Sequence, residues 1–160
     1  MSNLGNQNLP SYTDWRQIIS GKDGQVYVTL SDGTDLFLAE VDTFSAQMNI
    51  QNASYHPIGQ AQEMAVPISF SVSLTLAEVV IRDDVMLKKL LDDLANGFFP
   101  IFDFQGKLRR RDGQEERIVF HDCVADGNVD LINITPGEII KRNWSFRCNG
   151  APYMQSYFTN

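Results

Sequence analysis

Two cysteines and two histidines in 160 residues leave little material for metal or nucleophilic chemistry. His121 and Cys123 lie two apart on a predicted strand, so both can share a face, and Cys148 on a later strand can join them. A closed structural zinc site takes four ligands, however, and the other histidine, His56, lies in a distant polar stretch. Filling core space is the simpler role for the two sulfurs. A nucleophile elbow, a phosphate-cradling glycine loop and an HExxH helix are all missing. The carboxylate pairs Asp83-Asp84 and Glu115-Glu116 sit where a helix start and a hairpin tip account for them. The expectation is a non-enzymatic chain with no catalytic residue, no metal and no cofactor.

Long apolar runs are missing too. No window approaches the roughly eighteen residues that span a bilayer, and Met1–Arg16 holds no apolar stretch of the signal-peptide kind. A soluble, cytosolic product is therefore expected, with both thiols free in a reducing compartment and the sequons Asn52-Ala53-Ser54 and Asn143-Trp144-Ser145 without consequence. Basic charge is scarce: 13 Lys and Arg stand against 20 Asp and Glu, a net charge of -7. The far field repels phosphate, which disfavours general nucleic-acid binding, although many ordinary soluble proteins share this balance.

What is present is enough for one folded body. Hydrophobic residues make up 43% of the chain and charged residues only 21%, which supports a single core and argues against disorder. We read 1–160 as one domain with an N-terminal arm over 1–19, an extended loop over 48–66 and a C-terminal tail over 150–160. In the arm only Leu4, Leu9 and Tyr12 are anchors before Trp15, Ile18 and Ile19. Lys22-Asp23-Gly24 signals a turn, and Val26, Val28 and Leu30 alternate with polar or amphipathic neighbours as a half-buried strand does. Asp32-Gly33 permits the positive φ of a tight hairpin, so this strand is expected to pair with the run from Leu36 to about Phe44.

The strongest strand signal runs from Ile68 to Leu76. Ile68, Phe70, Val72, Leu74 and Leu76 face one way, and Ser69, Ser71, Ser73 and Thr75 the other. Burying all five apolar side chains contributes about 10 kcal/mol gross, before conformational entropy is subtracted. The period then changes: Leu87, Leu90, Leu91 and Leu94 follow helical spacing, with a start at Asp83-Asp84 and a stop near Asn96-Gly97. Further strands are expected over Phe98–Phe104, Ile118–Val124 and Ile139–Cys148, with turns at Asp112-Gly113 and Pro136-Gly137. The sum is a mainly β fold, a β-sandwich or partly open barrel with one flanking α-helix.

Met48–Met64 is rich in Asn, Gln, Ala, Ser and Gly and is long for a connection inside a compact domain. It is read as an excursion that reaches outward. Met48, Ile50, Tyr55, Ile58 and Met64 are interleaved with its polar residues, as in a surface that orders against a partner; a floppy surface loop has the same composition.

In order and spacing these features resemble the tail tube proteins of contractile phages and defective prophages. The carriers are Ile19-Ser20-Gly21-Lys22-Asp23-Gly24-Gln25-Val26-Tyr27, the polar stretch through Pro57-Ile58-Gly59, the alternating strand from Ile68 and the helix near Val85. Pro100-Ile101-Phe102-Asp103-Phe104, Glu116–Cys123 and Trp144-Ser145-Phe146 follow as later strands. The longer segment before Ser20 and the run Ala151–Asn160 depart from shorter relatives.

The resemblance implies a subunit whose strands complete a sixfold ring barrel, with rings stacked in a contractile sheath. Its partners are then itself, the sheath, the baseplate and the tape-measure protein, with DNA passing unbound. Subunit-interface candidates are Leu9, Tyr12 and Trp15 in the arm; Met48, Ile50, Tyr55, His56, Pro57, Ile58 and Met64 in the excursion; and Arg109, Arg110 and Arg111, a basic run beside Asp112, Glu115 and Glu116 that a solvated hairpin end also explains. Ser69, Ser71, Ser73 and Thr75 are lumen-facing candidates, though an ordinary solvent face looks the same. A contractile secretion-system tube, a baseplate ring and a monomeric small-ligand-binding β-barrel are the competing readings.

Overall fold

The computed structural model describes residues 19–29, 33, 35–38, 41–80 and 86–159. The arm anchors Leu9, Tyr12 and Trp15, the turn residue Asp32 and the helix-start pair Asp83-Asp84 lie outside these residues. The chain enters through a 3₁₀ turn, Gly21–Asp23, closed by the Asp23 N–H donating to Ser20 O at 3.0 Å. The strands are β1 (Gly24–Thr29), β2 (Asp35–Phe37), β3 (Val41–Tyr55), β4 (Met64–Val79), β5 (Phe102–Arg109), β6 (Glu115–Ala125), β7 (Lys141–Cys148) and β8 (Tyr153–Ser156). They form one antiparallel sheet in the order β2-β1-β5-β6-β7-β4-β3, with β8 added on β6. Among the described residues its outermost strands, β2 and β3, do not meet, so the sheet curls without closing.

Alternation builds the core. Across β4 and β7 the buried partners are Val72 with Cys148, Leu74 with Phe146, Leu76 with Trp144, and Glu78 with Arg142. Phe102 and Phe104 of β5 complete an aromatic centre: Phe104 and Phe146 have ring centroids 4.9 Å apart, and Trp144 stacks on Phe146 at 5.7 Å. Each such ring pair adds about 1 kcal/mol beyond the area it buries. Helix α1 (Leu87–Ala95) covers this centre with Leu87 and Leu90. It ends in a Schellman motif: the Phe98 N–H reaches Asp93 O at 2.8 Å, the Gly97 N–H reaches Leu94 O at 3.1 Å, and Gly97 has φ 83.

Several expectations need correction. The hairpin partner of β1 is only Asp35–Phe37; from Val41 the chain leaves β1 and starts β3, which pairs with β4 instead. Phe98–Ile101 precede β5 rather than belonging to it, and Phe98 and Phe99 are exposed. The segment 48–66, read as a loop, is mostly strand: β3 runs to Tyr55, β4 starts at Met64, and only 56–63 is turn. Asn49 and Gln51 are not loop residues but part of the outward half of a period-2 pattern.

His121 and Cys123 do not share a face. Asp122 has φ 56 and forms a bulge opposite Asp103, so that Phe120 and Cys123 are buried while His121 turns outward. The bulge is fixed by side chain and backbone together. Asp103 Oδ1 accepts the Asp122 N–H at 2.9 Å, and Asp122 O accepts the Asn149 N–H at 3.0 Å.

Candidate assembly surface

The β3–β4 hairpin outruns the sheet that supports it. β7 borders β4 only from Val72 to Val79, whereas β4 and β3 pair with each other all the way to Tyr55 and Met64. The stretch Met64–Ser71 and its partner strand therefore project as a two-stranded ribbon, roughly 25 Å long at the usual strand rise. The ribbon keeps the alternation of the body, so it has two chemically distinct faces.

One face continues the core into solvent. Phe44, Ala46, Met48 and Ile50 of β3 stand opposite Leu76, Leu74, Val72 and Phe70 of β4. Leu74 is 0% exposed, but Ile50 is 58% and Phe70 54% exposed, and Ile68, beside the register shift at Gln51/Asn52, is 68% exposed. Of the five β4 side chains expected inside, Val72, Leu74 and Leu76 are buried and Ile68 and Phe70 are not. β7 stops bordering β4 at Val72, so nothing among the described residues covers the last two. At about 2 kcal/mol per fully buried side chain, their contribution is left unrealised in an isolated subunit.

The other face is polar and uncharged. Ser69, Ser71, Ser73 and Thr75 stand directly opposite Gln51, Asn49, Gln47 and Ser45. Sequence reasoning found the β4 half of this ladder and missed the β3 half. The signal was the strict alternation of Ser45, Gln47, Asn49 and Gln51 with Phe44, Ala46, Met48 and Ile50. On the neighbouring strand Ser145 faces Thr75 and Arg147 faces Ser73, so a cation borders the ladder at β7.

At the far end Tyr55 pairs with Met64, and the turn between them carries His56, Pro57 and the fully exposed Ile58. The Gln60 N–H donates to Pro57 O at 3.3 Å, and Gly59 supplies the positive φ of 85. Met48, Ile50, Tyr55, His56, Pro57, Ile58 and Met64 thus come together on one ribbon.

Arg109, Arg110 and Arg111 sit on a different hairpin, β5–β6. Arg110 is engaged within the chain: its guanidinium donates to Asp112 Oδ2 at 2.6 Å and to Thr159 O at 2.9 Å, and it lies 5.2 Å from the Phe158 ring. The Arg110 hydrogen bond, followed by one from the Gln114 N–H, holds the Asp112 carboxyl below its ordinary pKa. A role for Arg110 in holding the C-terminal segment was not legible from the basic run. Lys107 pairs with Glu115 at 3.1 Å on the same hairpin.

A second apolar surface lies on the connection from β6 to β7. Leu131, Ile132, Ile134 and Ile139 are all more than half exposed there. Arg142 fixes the root of this connection by donating Nε–H to Asp130 O at 2.9 Å and Nη2–H to Leu131 O at 3.2 Å. Among the described residues no group of three or more His, Cys, Asp or Glu side chains is arranged to hold a metal, and no helix is long and apolar enough to cross a membrane.

A family model described as phage tail tube protein matches residues 11–154. The fold is similar to a chain of the SPP1 tail tube, with a TM-score of 0.66 and 11% identity over 89% of this chain and 81% of that one. It is similar to a chain of the PVC sheath-tube complex, an extracellular contractile injection system in its extended state, with a TM-score of 0.64 and 15% identity over 91% of this chain and 100% of that one. A chain of the 6-fold symmetrised anti-feeding prophage baseplate has a TM-score of 0.61 and 8% identity over 83% of this chain and 92% of that one. No curated protein matches.

Proposed function

The chain belongs to the phage tail tube protein family, and from that premise we propose that it is the structural subunit of the inner tail tube of a contractile phage or phage-tail-like particle. It self-assembles into stacked hexameric rings that form a conduit for DNA or for cell puncture. It is a component of the virion tail or tail-like particle, made in the cytoplasm of the host bacterium, and it catalyses no reaction.

The observation that carries this reading is the two-faced ribbon formed by β3 and β4 beyond Val72. A ribbon of two strands is marginal in water on its own, and this one exposes Ile50, Ile68 and Phe70 on a face continuous with the core. Copies of the same chain supply what is missing. Strands of neighbouring subunits satisfy the free edges of β3 and β4 when a ring closes, and their apolar groups cover the exposed side chains. The turn at His56–Ile58 and the β6–β7 connection then offer further contacts within or between rings.

The polar ladder of β3 and β4 is left to line the lumen. Ser, Thr, Asn and Gln side chains keep water in the channel and leave Arg147 of β7, opposite Ser73, as the nearest cation on this face, so phosphate contacts are few and DNA slides past instead of sticking. A sheath and a baseplate are partners in assemblies of similar subunits; we extend both to this chain, together with a tape-measure protein inside the tube. At the centre of the sheet Trp144, Phe102, Phe104 and Phe146 are packed against one another, and the apolar groove beside them, lined by Val26, Val41, Phe44, Ile118 and Phe120, is open to solvent.

Negative-stain microscopy of the concentrated, purified chain tests the assignment. Rings or tubes with a central hole are expected, and a persistent monomer at all concentrations contradicts it.

A further inference from the structure

Cys123 and Cys148 are direct partners across β6 and β7, both buried, with their Sγ atoms in contact at 2.8 Å as free thiols. Their alignment depends on the Asp122 bulge. Were Asp122 part of a regular strand instead of a bulge, strict alternation from Phe120 would turn residue 123 away from the buried face. The left-handed conformation at a non-glycine residue is uncommon, and here it is held in place by Asp103 and by the Asn149 N–H.

The sulfurs also meet at a short join in the sheet. β6 and β7 pair only through Cys123–Cys148, Val124–Arg147 and Ala125–Phe146, whereas β4–β7 runs from Val72 to Val79 and β5–β6 from Phe102 to Arg109. Among the described residues, the hydrogen-bonded path between the β2-β1-β5-β6 half and the β7-β4-β3 half runs through these pairs and the bonds that flank them, Asp126 N–H to Ser145 O, Asn149 N–H to Asp122 O and Gly150 N–H to His121 O.

We propose that Cys123 and Cys148 are an oxidisable dithiol site, which hydrogen peroxide converts to an intrachain disulfide that staples the two halves of the sheet. The Cys148 sulfur, the more accessible of the two, attacks the O–O bond as thiolate. One oxygen leaves as hydroxide, which takes up the proton released by the thiol, and a sulfenic acid remains on Cys148. The Cys123 sulfur then attacks the Cys148 sulfur, and hydroxide departs with the Cys123 proton as a second water. Two thiols and one peroxide thus give one disulfide and two waters. The order of events suits the electrostatics: the hydrogen bond with Cys148, then burial, pushes the Cys123 thiol up, while the same hydrogen bond lowers Cys148.

The test uses the full chain, reduced, freed of reductant, exposed to a few equivalents of hydrogen peroxide, then unfolded in N-ethylmaleimide and weighed by intact mass spectrometry. The expected product is a monomer lighter by two hydrogens that takes up no maleimide. Its thermal transition should rise by about 10 °C, as closing a loop of this size predicts, and return on reduction. The Cys148→Ser variant should keep one alkylatable thiol and show no rise. Two maleimides on the peroxide-treated wild type, a gain of oxygen in place of a loss of hydrogen, a disulfide-linked dimer, or a disulfide without a rise in the transition would each overturn the proposal. Because the readout is covalent and made on single chains, it stands whether or not the chain forms tubes.

Discussion

Trp144 donates its indole Nε1–H to Glu78 Oε1 at 2.9 Å within the buried face of the sheet. The same oxygen lies 3.6 Å from Arg142 Nη1, and Arg142 in turn holds the Asp130 and Leu131 carbonyls. One carboxylate therefore ties the aromatic centre to the root of the apolar β6–β7 connection. A buried charge is tolerated only when paired, and removing one partner leaves the other uncompensated. Glu78→Ala should destabilise the unpolymerised subunit by about 3–5 kcal/mol in urea unfolding. A Glu78→Gln, Arg142→Met double variant, which removes both charges, should recover much of that loss.

Leu74 and Phe70 lie on the same face of the same strand, but on opposite sides of the point where the body ends. Leu74→Ala should cost about 2–5 kcal/mol of subunit stability by denaturant unfolding. Phe70→Ser should change it by less than about 0.5 kcal/mol, yet eliminate tubes in electron micrographs. Tubes of normal yield from Phe70→Ser would show that this side chain is not a polymer contact.

A side chain on Gly150 would overlap the His121 imidazole, whose Nε2 is 2.9 Å from Ala151 O. The glycine is there for the close approach of backbone to ring, which positions the start of β8 on β6. Gly150→Ala should destabilise the subunit by about 1–3 kcal/mol, and the loss should shrink when it is combined with His121→Ala. Equal losses in both backgrounds would remove the ring as the cause.

Arg110, held in place by Asp112, links the β5–β6 turn to Phe158 and Thr159. The Asp112 carboxyl is held below its ordinary pKa in the folded chain, so the linkage contributes fully above the usual carboxylate range and is lost as pH falls through the lowered folded value. In an acid titration followed by NMR, the Phe158 ring resonances should move toward random-coil positions only below that range. Arg110→Ala should place them there already at neutral pH.

Much of the fold was legible in the sequence because alternation and turn chemistry are local. Gly113 and Gly137 take positive φ in the predicted turns, Leu87 and Leu90 pack inward from the predicted helix, and Ile68–Leu76 lies within a strand. Alternation reports that side chains share a face, however, and not what covers it. Ile68 and Phe70 therefore looked like core when they belong to a surface. Asn, Gln and Ser are poor strand formers, and their abundance concealed the β3 half of the ribbon. The Asp122 bulge left no mark at all in the sequence, since what holds it is the hydrogen bond its N–H donates to Asp103 on another strand.

The central claim is that the ribbon beyond Val72 is completed only by other copies of this chain. Asn49 and Ser71 stand opposite each other, so the segment between them can be replaced by an Asn-Gly turn without disturbing the strands below. Electron microscopy of this truncated chain beside the wild type, with circular dichroism to verify the β body, is the most direct measurement. A folded subunit that forms no tubes is the predicted result, and tubes indistinguishable from wild type would contradict it.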